Sequence, residues 1–150
     1  MKLFQIEEPE GGPPDPSAPG AAIGIDASRL QIEVAFSVGG NAVILTDREG
    51  FERTLPVPGM EAGELEWEQV IEAARIRSER ALASPVTHAV IVIPGAANAR
   101  VADRLRRAAE QAGLVVLRLV ATADLPAGID VALAAAMLAE DLAPRSELGR

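Results

Sequence analysis

The chain has 150 residues, 49% of them hydrophobic but only 3% aromatic, and carries a formal net charge of −8 at pH 7. That describes one domain with an aliphatic core, able to bury roughly 70% of its unfolded surface, while the acidity speaks against a nucleic-acid binder, which needs clustered cations. With no cysteine and one histidine, His88, the chain has no disulfide, thiolate metal site, cysteine nucleophile or metal-binding His pair, and without a spanning apolar run of roughly 20 residues or an export signal it is expected to be cytoplasmic and away from membranes.

Residues 1–20 read as an acidic Pro/Gly-rich flexible leader, because EEPEGGPPDPSAPG has too little apolar surface to order itself. Leu3, Phe4 and Ile6 at its start are either frayed or a tethered docking motif. The domain is expected over residues 21–143. AAIGID is a strand ending at Asp26. From Leu30 to Val38 apolar residues alternate (Leu30, Ile32, Val34, Phe36, Val38), with Gln31, Glu33 and Ser37 opposite, as in a half-buried strand. Gly39–Asn41 turns the chain, Ala42–Thr46 runs back, and Phe51–Val57 extends the meander until Pro56 and Pro58 mark its exit.

A helix is expected from Leu65 to about Leu82, with Leu65, Val70, Ala73, Ile76 and Arg80 along one side and Trp67 as its anchor. The next stretch, Thr87–Leu119, is a βαβ unit. Its apolar runs, Ala89–Ile93 and Leu114–Val120, suit parallel strands buried on both faces. Asn98 caps the helix between them, Val101, Leu105, Ala108 and Ala112 form its inner face, and Gly113 sits where a left-handed residue ends it. Ala121–Gly128 is a loop, Ile129–Leu142 an Ala-rich helix, and residues 144–150 a tail.

The order β-β-β-α-β-α-β-α implies an α/β domain of the ribonuclease-H-like and actin-like ATPase type. Its sheet would be mixed and five-stranded, in the order 3-2-1-4-5, with helices on both faces. Ligands of open α/β sheets bind where the strand order reverses. Here that is between the loops Asp26–Arg29 and Pro94–Asn98.

GNAVILTDREGFERTLPV, SPVTHAVIVIPGAAN and the segment ending Ala112, Gly113, Leu114, Val116, Arg118, Leu119, Val120 resemble the first lobe of an Hsp70-type nucleotide-binding domain. The likeness covers most of Ile23 to Gly128, with a peripheral insertion missing after Pro58. It implies that Asp26, Ser28, Arg29, Gly95, Asn98 and Thr122 occupy the positions of a nucleotide site. The chain departs from the family at the chemistry. After Asp26 the family has Gly-Thr-Thr, whose backbone and hydroxyls hold phosphate; this chain has Ala27, Ser28 and Arg29. Thr122 replaces the glutamate that orders the hydrolytic water. The resemblance reaches one lobe only, whereas ATP in this superfamily sits between two, so a second lobe is not expected within these residues.

Each candidate also has a plainer role. Asp26 suits a strand-closing turn, Asn98 a helix cap, and His88 a local hydrogen bond. Arg100, Arg104 and Arg107, with Arg106 adjacent, fall at helical spacing. They form either a solvated face paired with Asp103 and Glu110 or a docking surface for an acidic partner. A less favoured reading is a ribonuclease-H-like metal-dependent nuclease: Asp26 and Asp124, at the ends of strands one and five, could approach each other, but no third acid is convincingly placed and the net charge is wrong for nucleic acid.

The sequence therefore points to a degenerate lobe without catalysis, metal or cofactor. It would serve as a protein-interaction or assembly module, as an accessory subunit of a larger complex or a homodimer. The second reading is an ATP/ADP-binding, chaperone-like regulator, the only one in which Mg-ATP is a ligand.

Overall fold

The computed structural model describes residues 20–48, 51, 54–95 and 97–144. The leader, including Leu3, Phe4 and Ile6, and the last six residues lie outside that set, as does Ala96. Among the described residues, six strands and three helices follow one another as β1 (Ala21–Asp26), β2 (Gln31–Val38), β3 (Asn41–Ile44), β4 (Leu55–Pro56), α1 (Glu64–Leu82), β5 (Val86–Val92), α2 (Ala99–Gln111), β6 (Val115–Val120) and α3 (Val131–Leu142), with a 3₁₀ turn at Thr122–Asp124. The sheet runs β3-β2-β1-β5-β6, and β4 pairs with the start of β2. β1 is antiparallel to β2 and parallel to β5, which is parallel to β6. This is the expected mixed α/β sheet, with helices on both faces.

β1 and β5 carry apolar side chains on both sides because both sides are covered. Ile23, Ile25, Ala89 and Ile91 join the larger core beneath α1 and α2. Ala22, Val90 and Val92 meet Ala135 and Ala139 of α3 on the opposite face. The approach of α3 depends on Gly24. A Cβ there would lie 2.7 Å from the carbonyl carbon of Ala135 and closer still to the Ala136 nitrogen, so only glycine lets the backbones pass.

α2 forms as its pattern requires. Asn98 Oδ1 accepts from Val101 N at 3.0 Å, Val101, Leu105, Ala108 and Ala109 are buried, and Gly113 has φ +96°. Five expectations are corrected. β2 is not half-buried with one inner face: Ala35 and Ser37 are buried under α3, whereas Leu30 and Val38 sit at the strand ends, 88% and 63% exposed. The return strand is Asn41–Ile44; of the expected Phe51–Val57 strand, Glu52 and Arg53 lie outside the described residues, and the described part pairs at Leu55–Pro56, where Pro56 withholds a ladder donor. α1 faces inward through Trp67, Ile71, Ala74 and Ser78, with Val70 and Ala73 of the expected row packed at the margin of the core and Leu65 and Ile76 exposed. α3 starts at Val131, two residues later than expected, because Asp130 Oδ1 caps it by accepting from Ala132 N and Leu133 N.

Candidate functional site

The loops after β1, β5 and β6 lie along one end of the sheet. Ala27 N donates to Val92 O and Ile93 N donates to Val120 O, both at 2.9 Å, so the ladder continues into the three loops. This is the strand-order reversal between β1 and β5, where Asp26, Ser28, Arg29, Gly95, Asn98 and Thr122 are grouped at one edge.

Their side chains, however, are turned to local tasks. Asp26 is 1% exposed. Its Oδ1 accepts from Ser28 N at 2.9 Å and from the Ser28 hydroxyl at 2.6 Å, which closes the turn out of β1. A phosphate would need those two donors. The turn also has Arg29 and Leu30 exposed at its tip. Asn98 spends its oxygen on α2. Asp124 Oδ2 accepts from Ala121 N at 3.0 Å, so this carboxylate holds the turn that begins at Thr122. Thr122 and Gly95 are exposed. The turn does not fit a nucleotide phosphate, and among the described residues no group of three or more His, Cys, Asp or Glu side chains could hold a metal ion.

One oxygen at this edge has no task. Asp26 Oδ2 is buried without a hydrogen-bond partner among the described residues. Sequence reasoning missed its surroundings. Register pairs Asp26 with Glu33 on β2, so both side chains project from the same face of the sheet, and α3 begins beside them at Asp130. Burial raises the Glu33 pKa, and the charges of Asp130 and Asp26 and a hydrogen bond from Glu33 to Asp130 raise it further, against Arg29. Three acids converge there only because α3 crosses β1 and β2. Neither the cap at Asp130, which the sequence reading placed inside the helix, nor its meeting with Glu33 was legible.

Solved structures resemble the fold: 77 chains match. Among them is the ethanolamine utilization protein EutJ from Carboxydothermus hydrogenoformans, 20% identical, with a TM-score of 0.44, over 71% of this chain and 38% of that one. The chain thus spans well under half of EutJ. No protein-family description and no curated protein matches the sequence.

The arginine row on α2 is largely used within the molecule. Arg104 Nη1 donates to the carbonyls of Ala62 at 3.0 Å and Met60 at 3.3 Å, and Arg107 Nε pairs with Glu64 Oε1 at 3.0 Å. These partners tie α2 to the start of α1. They replace the expected Asp103 and Glu110, and of the three Arg100 alone stays exposed with no ion pair among the described residues. His88 Nδ1 shares a 2.7 Å hydrogen bond with Thr87 Oγ1, and burial lowers its pKa. Trp67 is fully buried as the expected anchor of α1, its Nε1 without a partner among the described residues.

Proposed function

We propose that this chain is a non-catalytic protein-interaction or assembly module, an accessory subunit carried on an actin-like lobe. The supporting observation is the turn after β1, where the Ser28 N–H and hydroxyl are both committed to Asp26. A phosphate loop works by presenting unpaired backbone donors to the anion, and displacing an internal carboxylate to free them would cost a buried, charge-assisted pair of hydrogen bonds. The edge is also lined with small residues, Gly95, Ala97, Ala123 and Ala127, which let another surface approach closely.

A nucleotide-binding regulator is the second reading, favoured by the unpartnered Asp26 Oδ2, a position from which a carboxylate could accept from a metal-bound water. Calorimetric titration with Mg-ATP and Mg-ADP separates the two. The module reading expects no heat of binding. An affinity tighter than about 100 μM, roughly −5.5 kcal/mol, that disappears in a folded Asp26→Asn variant would sink it and install the second.

A further inference from the structure

The two faces of the sheet are covered unequally. On one, α1 and α2 pack against each other and reach from β2 and β4 across to β5 and β6; on the other, α3 alone among the described residues lies over β1, β2, β3 and β5. A helix with side chains is about 10 Å across and strands are about 4.8 Å apart, so one helix leaves a lane of about its own width beside it. That lane is a cleft of about 410 Å³ between α3 and β6, floored by Leu119, Val120, Leu125, Ile129, Met137 and Leu138.

The helix bordering the lane has the matching property. Every residue of α3 except Glu140 and Asp141 is apolar. A helix that is apolar all round is one that is buried all round, yet Met137 is 38% exposed and Ile129, just before the helix, 40%. Charges at the lane point the same way. Arg118 and Asp141 both line the cleft, and both are exposed without an ion pair among the described residues. Asp141 stands in the last turn of α3, where no base offsets it and the helix dipole favours a cation.

We infer that the lane receives α3 of a second copy of this chain. Around a two-fold axis each α3 lies beside the other and against the partner's β6, giving a pair of helices between two sheets. Such an interface uses the same patch twice. Each chain supplies the apolar helix the other lacks, and Arg118 of one chain meets Asp141 of the other. The inference rests on reading the chain as an interaction module, and names its first partner.

Multi-angle light scattering and sedimentation equilibrium on the full chain test it. A mass about twice the 15.7 kDa of one chain is expected at tens of micromolar, falling on dilution. Met137→Asp, in the lane, should raise the dissociation constant at least tenfold with unchanged far-UV circular dichroism. Arg118→Asp and Asp141→Arg should each weaken the dimer about tenfold and together restore it. Those surface exchanges keep the test sharp even where Met137→Asp fails to fold. A wild-type monomer at about 200 μM overturns the inference, as does a dimer indifferent to all of these substitutions. A dimer that also binds Mg-ATP would refute the non-catalytic module and leave the two-fold assembly standing, whereas a monomer that ignores nucleotide does the reverse.

Discussion

At the residue scale the informative position is Glu33, which no sequence motif marks. Its carboxyl is partly buried beside Asp130 and Asp26, with Arg29 as the only opposing charge, and its pKa is raised. A carboxyl whose pKa is higher folded than unfolded stabilises the fold while protonated. That contribution is complete below the unfolded pKa and is lost as pH rises through the folded one. Glu33→Gln keeps the neutral form at every pH. It should therefore melt above the wild type at pH 7, with the difference shrinking toward about pH 4. Equal shifts at both values would mean that Glu33 acts through packing and not through its proton. Asp26 presents the opposite lesson. The sequence allowed it to be a turn former or a family active-site residue, and the Ser28 bonds settle the first role for Oδ1. The free Oδ2 depends on how deeply the strand end is buried, which only the assembled sheet determines.

Elements were legible to the degree that their pattern was one-sided. α2 has polar and apolar faces cleanly divided, a capping Asn98 and a closing Gly113, so its face and both ends could be read from residue spacing. α1 could not be phased. Its inner row, Trp67, Ile71, Ala74 and Ser78, includes a serine whose hydroxyl is satisfied by Ala74 O at 2.7 Å, while Leu65 and Ile76 remain exposed outside. β2 was misread for a related reason, since Ser37 looks outward-facing until a partner appears for it. That partner is Glu140 near the end of α3, which accepts from the Ser37 hydroxyl at 2.8 Å and from Gly40 N at 3.1 Å, and also from Gly39 N. One carboxylate thus fastens the last turn of α3 to the β2–β3 hairpin, whose two glycines have φ of +61° and +81°. Glu140→Ala would leave the buried Ser37 hydroxyl without that acceptor. A loss of about 1–3 kcal/mol in urea unfolding is expected, with the hairpin amides exchanging faster. A loss below about 0.5 kcal/mol would show that the hairpin holds its shape without the clamp.

At the scale of the whole molecule, the question is whether two cores on opposite faces of one sheet behave as one. β1 and β5 are shared between them: Ile23, Ile25, Ala89 and Ile91 serve the α1–α2 face, and Ala22, Val90 and Val92 the α3 face. Because consecutive residues of the same strands belong to different cores, loosening one face should disturb the backbone of the other. The only tryptophan, Trp67, is buried in the α1–α2 core, so its emission reports one face selectively. Val90→Ala removes two buried methyls from the other face, at a cost of about 2 kcal/mol, which in a domain of this size is about 4–8 °C of melting temperature. If the sheet couples the cores, the transition followed by Trp67 fluorescence falls by the full amount and coincides with that followed by far-UV circular dichroism. A Trp67 transition that stays in place while the circular dichroism shifts would mean that α3 unfolds by itself. It would also place α3 at the low-stability end of the molecule, leaving the apolar helix to be secured by whatever it packs against.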